Sequence, residues 1–247
     1  MRVVASWSGG KDSCLACYGA MLDGFDVSHL LNFVSKDGRC MSHGINSRLM
    51  VAQSQAIGIP LIQREVTWDT YEDGFKATMV ELKQMGVEGA VFGDIDIQEH
   101  KDWVCRVCRD VDITPMEPLW GLNPEQILSN FIDEGFEAVV VNVRADLLGE
   151  EWLGRKIDRS FIEDLRKLQS RHEIHVCGEF GEYHTLVTDG PIFKSRIKIL
   201  ESRRVLKEGY WNFWLLDISK YEIEEKYEHE VKRDEKGLRR DVGLRRK

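Results

Sequence analysis

The stretch that decides the fold reads Arg2-Val3-Val4-Ala5-Ser6-Trp7-Ser8-Gly9-Gly10-Lys11-Asp12-Ser13. It begins with a short β-branched apolar run, and a helical pattern follows from Ser13 to Leu22, so two glycines join a predicted strand to a predicted helix. A loop of this kind directs backbone N–H groups and the positive end of the helix dipole towards an anion. We therefore predict a phosphate-binding loop at Ser8 to Ser13.

Each side chain of this loop has a use at a phosphate site. Ser8 and Ser13 supply hydroxyl donors, Lys11 a mobile positive charge for leaving phosphates, and Asp12 a carboxylate ligand for Mg²⁺. The spacing is neither that of the P-loop of kinases and GTPases, where Ser or Thr follows the Lys directly, nor the G-x-G-x-x-G of dinucleotide sites. The alternative interpretation is a tight turn that is merely rich in glycine and serine.

Strands and helices alternate through the first half of the chain, which predicts parallel βαβ units and a doubly wound sheet. The predicted strands are 2–7, 27–34, 60–66, 89–92 and 113–116, and the predicted helices are 13–22, 46–57, 71–85 and 98–111. After Gly121 we expect helices at 123–133 and about 158–169 and strands at 137–143, 192–200 and 210–218. We predict a first domain at 1–121 that carries the phosphate loop, a smaller mixed α/β domain at 122–220 and a charged C-terminal tail at 221–247.

Composition restricts the class of protein. With 43% hydrophobic and 31% charged residues among 247, the chain fits a globular protein, and its apolar runs are far shorter than the roughly 20 residues of a membrane helix. A net charge of −8 argues against nucleic-acid binding, which needs a basic surface. The amino-terminal run lacks the features of a signal peptide, so we expect a cytoplasmic protein with reduced cysteines and no membrane partner.

Two Cys-x-x-Cys pairs, Cys14 with Cys17 and Cys105 with Cys108, resemble a four-thiolate metal set. Both pairs fall in predicted helices at a spacing of three, where small thiols pack well on a core face. We favour core packing, and metal binding stays open.

The loop from Ser8 to Ser13 resembles the PP-loop of N-type ATP pyrophosphatases, which have an adenine nucleotide α-hydrolase-like fold. Further stretches resemble signatures of the diphthine-ammonia ligase family: Ser42-His43-Gly44-Ile45-Asn46, Gly93-Asp94-Ile95, Pro118-Leu119-Trp120 and Cys177-Gly178-Glu179-Phe180-Gly181-Glu182-Tyr183-His184-Thr185. Phe180 and His184 depart from the family pattern, which commonly has Gly and Glu there. Residues 67–74 match the family poorly.

This resemblance implies an enzyme that uses ATP, Mg²⁺ and ammonia to convert diphthine on elongation factor 2 to diphthamide, through an acyl-adenylate, with release of AMP and pyrophosphate. The residues implied to be catalytic are Lys11, Asp12, Glu179 and Glu182, with Asp12 as Mg²⁺ ligand. Those implied to bind ATP are Ser6, Ser8, Gly9, Gly10, Lys11, Asp12, Ser13, His43, Gly93 and Asp94. Those implied to bind the substrate, including its trimethylammonium group, are Gly178, Glu179, Gly181, Glu182, Tyr183 and Thr185.

Other interpretations stay open from the residues alone. His43 could instead be a helix-entry residue bonded to nearby backbone, Asp94 a helix N-cap, and the Gly178 to Thr185 stretch a hairpin with exposed glutamates. The rival functions are a tRNA-thiolating enzyme, an enzyme that amidates a small metabolite and an ATP-binding module without chemistry. Whether the chain forms a homodimer also stays open.

Overall fold

The computed structural model describes residues 1–169, 173–209 and 212–226. The first region is a parallel sheet of five strands in the order β3-β2-β1-β4-β5. The strands are β1 Arg2–Ser6, β2 Asp26–Val34, β3 Leu61–Glu65, β4 Gly89–Val91 and β5 Thr114–Met116. The connecting helices are α1 Lys11–Leu22, α2 Arg48–Ile57, α3 Tyr71–Gln84 and α4 Gln98–Asp110. The predicted doubly wound parallel sheet is confirmed.

The strands are apolar on both faces because helices cover both faces. Val3 and Ala5 of β1 pack into one core cluster with α1 and α2, while Val4 packs into a second cluster with α3 and α4. The period of two along a strand puts these neighbours on opposite sides. Because all five strands are parallel, their carboxyl ends lie at the same edge of the sheet.

The second region is an antiparallel sheet in the order β7-β6-β9-β8. Its strands are β6 Glu137–Arg144, β7 Tyr183–Asp189, β8 Ser195–Lys207 and β9 Phe213–Glu225, and its helices are α5 Pro124–Asp133 and α6 Arg159–Gln169. Short 3₁₀ helices lie at Trp68–Thr70 and Glu150–Trp152. The second mixed α/β region is confirmed, and the boundary at Gly121 stays a prediction. Across the described ranges, no helix combines the length and apolarity needed to cross a membrane.

Three sequence predictions in this region were wrong. Strand β7 was missed, β8 continues beyond residue 200, and β9 continues to Glu225, so residues 221–225 are strand and not tail. β8 and β9 pair with each other from Ser195 opposite Glu225 to Lys207 opposite Phe213. This ladder satisfies the backbone while charged side chains such as Lys198 and Glu224 pair on its exposed face. Residues 227–247 of the predicted tail lie outside the described residues.

The cysteines occupy two separate cores. Cys14 and Cys17 are buried in the cluster of α1, and Cys108 is buried in the cluster on the other face of the sheet. Cys105 is exposed, so core packing was wrong for that residue. The described part of the chain contains no cluster of three or more His, Cys, Asp or Glu that could hold a metal ion.

Candidate functional site

A cavity of about 470 Å³ opens at the carboxyl edge of the parallel sheet, where the second sheet approaches it. Ligands of open α/β sheets bind at this edge, beside the point where the strand order reverses. β1 lies between β2 and β4 at that point. Of the predicted site residues, the cavity is lined by Ser6, Ser8, Lys11, Asp12, Ser13, His43, Gly93, Asp94, Gly178, Glu179, Tyr183 and Thr185.

The loop after β1 is fixed by the second sheet. The carbonyl oxygen of Gly9 accepts hydrogen bonds from Val187 N–H at 3.0 Å and from Gln53 Nε2 at 2.9 Å. The Lys11 N–H donates to Thr185 Oγ1 at 3.0 Å. The loop therefore has its shape because β7 and α2 hold it from two sides.

Gln53 on α2 is a buried residue that the sequence analysis missed. Its Oε1 accepts from Trp7 Nε1 at 2.9 Å, and its Nε2 donates to the carbonyls of Gly9 and Val187. A Cβ on Gly9, at φ +76°, would lie 2.4 Å from Gln53 Oε1, so the loop requires glycine there. No sequence pattern indicates this role for Gln53, because its partners lie in two distant segments, the loop after β1 and strand β7.

Gly10 and Gly93 let neighbouring groups approach closely. A Cβ on Gly10 would lie 2.5 Å from His43 Cε1, and one on Gly93 would lie 2.8 Å from the backbone carbon of Asp12. The end of β4 thus packs directly on the first turn of α1. That helix begins at Lys11 without a side-chain cap, so its amino end is open to an anion.

Lys11 is held in place rather than mobile. Its side chain is 3% exposed, and Nζ donates to Asp12 Oδ2 at 2.8 Å and to the Cys177 carbonyl. Burial alone would lower the pKa of Lys11, but the Asp12 carboxylate and the nearby Tyr183 and Cys177 raise it above its ordinary value. The predicted mobile charge is therefore a fixed cation that joins the two regions.

One carboxylate oxygen of Asp12 is available to bind a ligand. Oδ1 is buried and has no hydrogen-bond partner among the residues that the structure describes. Burial raises the pKa of Asp12 although Lys11 opposes this. A carboxylate in this state gains from a further cation, so Asp12 fits a Mg²⁺ ion that takes its remaining ligands from phosphates and water.

Glu179 and Asp94 bring further negative charge to the cavity. Burial, with the charges of Asp12 and Asp94, raises the pKa of Glu179 to about 7 although Lys11 and His100 oppose this. Asp94 Oδ1 lies 3.2 Å from Nδ1 of His100, and this hydrogen bond raises the pKa of His100. A carboxyl group with a pKa near neutrality can exchange a proton during a reaction.

Glu182 does not have the predicted catalytic position. Its Oε1 accepts the His175 N–H at 2.6 Å, its Oε2 accepts the Phe180 N–H at 3.0 Å, and it is 1% exposed. Neither Glu182 nor Gly181 lines the cavity, although both belong to the described residues. Their role is to shape the loop before β7, and only Glu179 of the two glutamates faces the cavity.

Tyr183 lines the cavity, but its binding groups are already engaged. Its hydroxyl donates to the Val176 carbonyl at 2.5 Å, and Lys11 Nζ lies 4.9 Å from the centre of its ring. The structure therefore contradicts the assignment of a substrate cation to this ring. Thr185 likewise serves the Lys11 backbone N–H rather than standing free.

His43 and His184 form a stacked pair beside Gly10, with ring centres 4.6 Å apart. Burial lowers the pKa of His184 to about 4 and that of His43 well below its ordinary value, so both rings are neutral at physiological pH. His43 lines the cavity, and its contact with a nucleotide stays a prediction. Its carbonyl also accepts a hydrogen bond from Asn142 Nδ2, which ties it to β6.

An aromatic wall that the sequence analysis missed lines the cavity, and its members are Phe33, Trp68, Tyr71, Phe75, Phe92 and Trp103. The ring centre of Tyr71 lies 5.8 Å from that of Trp103 and 6.1 Å from that of Trp68. The wall is formed by residues from five segments, namely β2, the first 3₁₀ helix, α3, the loop after β4 and α4, so no sequence motif indicates it.

Together these features define an α/β protein whose parallel sheet carries a glycine loop and an uncapped helix end at a deep cavity, closed by an antiparallel second sheet. The chain belongs to the diphthamide synthase family: the family model for the diphthamide synthase N-terminal domain matches residues 1–115, and that for the C-terminal domain matches residues 123–226.

Individual relatives agree with this family. The chain is 27% identical to a diphthine–ammonia ligase of Rattus norvegicus, over 92% of this chain and 94% of that protein. It is 28% identical to a diphthine–ammonia ligase of Homo sapiens, over 83% and 85% respectively. A solved structure of a predicted subunit of tRNA methyltransferase from Methanocaldococcus jannaschii aligns with a TM-score of 0.44 and 15% identity, over 77% of this chain and 97% of that one. That likeness is too distant to support a functional conclusion.

Proposed function

We propose that this chain is an ATP-dependent amide ligase that converts diphthine on elongation factor 2 to diphthamide with ammonia, releasing AMP and pyrophosphate. The observation that carries the proposal is that the loop at Ser8 to Ser13 and the loop at Gly178 and Glu179 face one cavity in a member of the diphthamide synthase family. A single ligand in this cavity could therefore contact both the predicted phosphate loop and the Glu179 carboxyl group. The predicted cytoplasmic location goes with this proposal, since the substrate is a translation factor.

In the first step, a diphthine carboxylate oxygen attacks the α-phosphorus of ATP and the bond to the β-phosphate oxygen breaks. The products are an acyl-adenylate and pyrophosphate. Activation is needed because a carboxylate oxygen is a poor leaving group, whereas AMP leaves readily. The open amino end of α1 and the fixed ammonium of Lys11 stabilise the negative charge that moves onto pyrophosphate.

The metal site of this step would be built on Asp12. Its unpartnered Oδ1 is the protein oxygen that would hold Mg²⁺. A bound Mg²⁺ supplies charge neutralisation for the phosphate oxygens. Lys11 keeps the other oxygen of Asp12 in a fixed position.

In the second step, the ammonia nitrogen attacks the acyl carbon and the bond from that carbon to the AMP oxygen breaks. The nitrogen must lose a proton, and Glu179 is the group on the cavity that can accept it, because its pKa is raised to about 7. The result is the amide, AMP and a protonated Glu179.

The burial of the cysteines argues against the alternative that the chain is a tRNA-thiolating enzyme. Burial raises the pKa of Cys177, the one cysteine that lines the described cavity, and burial also raises the pKa of Cys14 and Cys17. A thiol must ionise to act as a sulfur nucleophile. These environments favour packing instead.

The test uses the purified chain with ATP, Mg²⁺, isotope-labelled ammonia and elongation factor 2 that carries diphthine. Mass spectrometry of the modified peptide should show replacement of the carboxyl OH by labelled NH₂, and Glu179→Gln should lose most of this conversion. Glu163→Gln, which changes an exposed carboxylate on α6, is the matched control. Unmodified diphthine after complete ATP turnover, or labelled amide on a small metabolite only, would rule out the proposed substrate.

A further inference from the structure

The cavity also offers a place where a substrate cation can bind, and the argument for it rests on the proposed function. Diphthine carries a trimethylammonium group next to the carboxylate that is activated. Quaternary ammonium groups bind against aromatic faces and near carboxylates. Tyr183 cannot serve, because Lys11 already lies over its ring and its hydroxyl is bonded to Val176.

Another aromatic surface borders the same cavity. We propose that Trp68, Tyr71 and Trp103 form the subsite for the quaternary ammonium group, with Asp94 and Glu179 supplying the negative charge. Residues 67–74 match the family pattern poorly, so no motif indicates a role for this segment. The subsite would make this segment the determinant of specificity for a cationic carboxylate over a neutral one.

The ring geometry supports this subsite. The Tyr71 ring contacts both of the others: the ring centres are 6.1 Å apart for Trp68, with 30° between the planes, and 5.8 Å apart for Trp103, with 46°. Trp103 Nε1 donates to Glu72 Oε2 at 3.1 Å, and Glu72 is in turn bonded to Arg106. Two of the three rings are therefore fixed by their neighbours and offer a preformed surface.

The Trp68 side chain has exposed surface that a ligand could cover. It is 72% exposed, the largest exposed fraction among the large hydrophobic side chains in the described ranges. It follows β3 in a 3₁₀ turn whose capping box joins Thr67 and Thr70, so its backbone is held while its ring faces the cavity mouth. An exposed indole of this kind gains most from a ligand that covers it.

The charges nearby favour a cation over a neutral group. Asp94 pairs with His100, whose side chain is half exposed. Glu179 makes no ion pair with any residue in the described part of the chain. The Asp94 charge also reaches the Tyr71 hydroxyl: burial, together with Asp94, raises the pKa of Tyr71 to about 12. The adenine ring of ATP can donate hydrogen bonds from its amino group but carries no net charge, so these carboxylates attract a cation more strongly.

The experiment measures binding without any ligase reaction. Calorimetry in the presence of AMP compares glycine betaine, which joins a carboxylate to a trimethylammonium group, with tert-butylacetate, which keeps the carboxylate but has an uncharged tert-butyl group of the same shape in place of trimethylammonium. Trp68→Ala should weaken betaine binding about tenfold, and Trp68→Phe should restore most of it. Phe180→Ala is the matched control, since Phe180 is also an exposed aromatic residue but does not line the described cavity.

The outcomes separate the cation subsite from the ligase assignment. Loss of ATP affinity in Trp68→Ala with unchanged betaine binding would show that the wall stacks adenine and would overturn the proposal, as would equal affinity of the intact protein for betaine and tert-butylacetate. In the ligase assay, Trp68→Ala should raise the KM for elongation factor 2 with little change in kcat. Betaine binding that depends on Trp68 in a protein that forms no amide would refute the ligase alone.

Discussion

The strongest test of the charge arrangement at the cavity is the effect of Glu179→Gln on stability as a function of pH. Burial and the charges of Asp12 and Asp94 raise the pKa of Glu179 from 4.5 to about 7. In the folded protein this group therefore binds its proton more tightly than in the unfolded chain, so ionisation costs stability. The cost is absent below pH 4.5, grows as the pH rises, and is complete above about 7.

The magnitude follows from the size of that shift. The difference between 4.5 and about 7 corresponds to an upper bound of about 3 kcal/mol of unfolding free energy. Glu179 is partly exposed, and solvent screening reduces the expected gain to roughly 1–2 kcal/mol. Glutamine has the same shape and stays neutral, so Glu179→Gln should recover this amount at about pH 8 and nothing at about pH 4.

Urea unfolding followed by tryptophan fluorescence measures this difference at both pH values. Glu163→Gln, on the exposed face of α6, should leave the unfolding free energy within about 0.5 kcal/mol of the parent at both. If Glu179→Gln is no more stable relative to the parent at the higher pH than at the lower, the three carboxylates do not share one desolvated site. The same variant should lose amide formation, because the proton acceptor is gone.

Substitutions at three further positions test how the loop after β1 is held. Gly93→Ala puts a Cβ 2.8 Å from the backbone of Asp12, so α1 must shift. Calorimetry should show at least tenfold weaker ATP binding. An affinity like that of the parent would contradict the close packing. Gln53→Leu removes the hydrogen bonds that Gln53 makes to Trp7 Nε1 and to the Val187 carbonyl, and one of the two donors to the Gly9 carbonyl. It should cost about 2–4 kcal/mol in urea unfolding, whereas a neutral effect would mean that water replaces the amide. Thr185→Val removes the acceptor of the Lys11 N–H and should cost about 1 kcal/mol, while Thr185→Ser keeps the acceptor; equal losses in both would assign the effect to packing.

Local sequence patterns were enough to predict the parallel sheet. β1, β2 and β4 are apolar runs bounded by glycine or by helical periodicity, and both signals are local. The pairing of β8 with β9 could not be found in this way, because charged residues such as Lys198 and Glu224 interrupt the apolar pattern and are satisfied only across the ladder. β7 was missed because its first residues fall within a glycine-rich motif that reads as a turn.

The candidate site likewise contains residues that local sequence patterns predict and residues that only the folded structure reveals. Asp12 and Gly93 were found because motif and strand position both point to the cavity, and Glu179 because of the motif. Glu182 was misplaced because a motif shows spacing but not direction, and its two oxygens bond to the backbone of its own loop. Trp68 was missed because, apart from neighbouring Tyr71, the other rings of the cavity wall come from distant segments, and only the folded chain brings them together.

The central claim is that ATP is cleaved between the α and β phosphates to drive amide formation at this cavity. The most direct measurement is a chromatographic analysis of labelled ATP incubated with the intact chain, Mg²⁺, ammonia and elongation factor 2 carrying diphthine, with the amide counted in the same samples. We expect AMP and pyrophosphate, one AMP for each amide formed. ADP and phosphate as products, or amide formed without AMP, would contradict the claim.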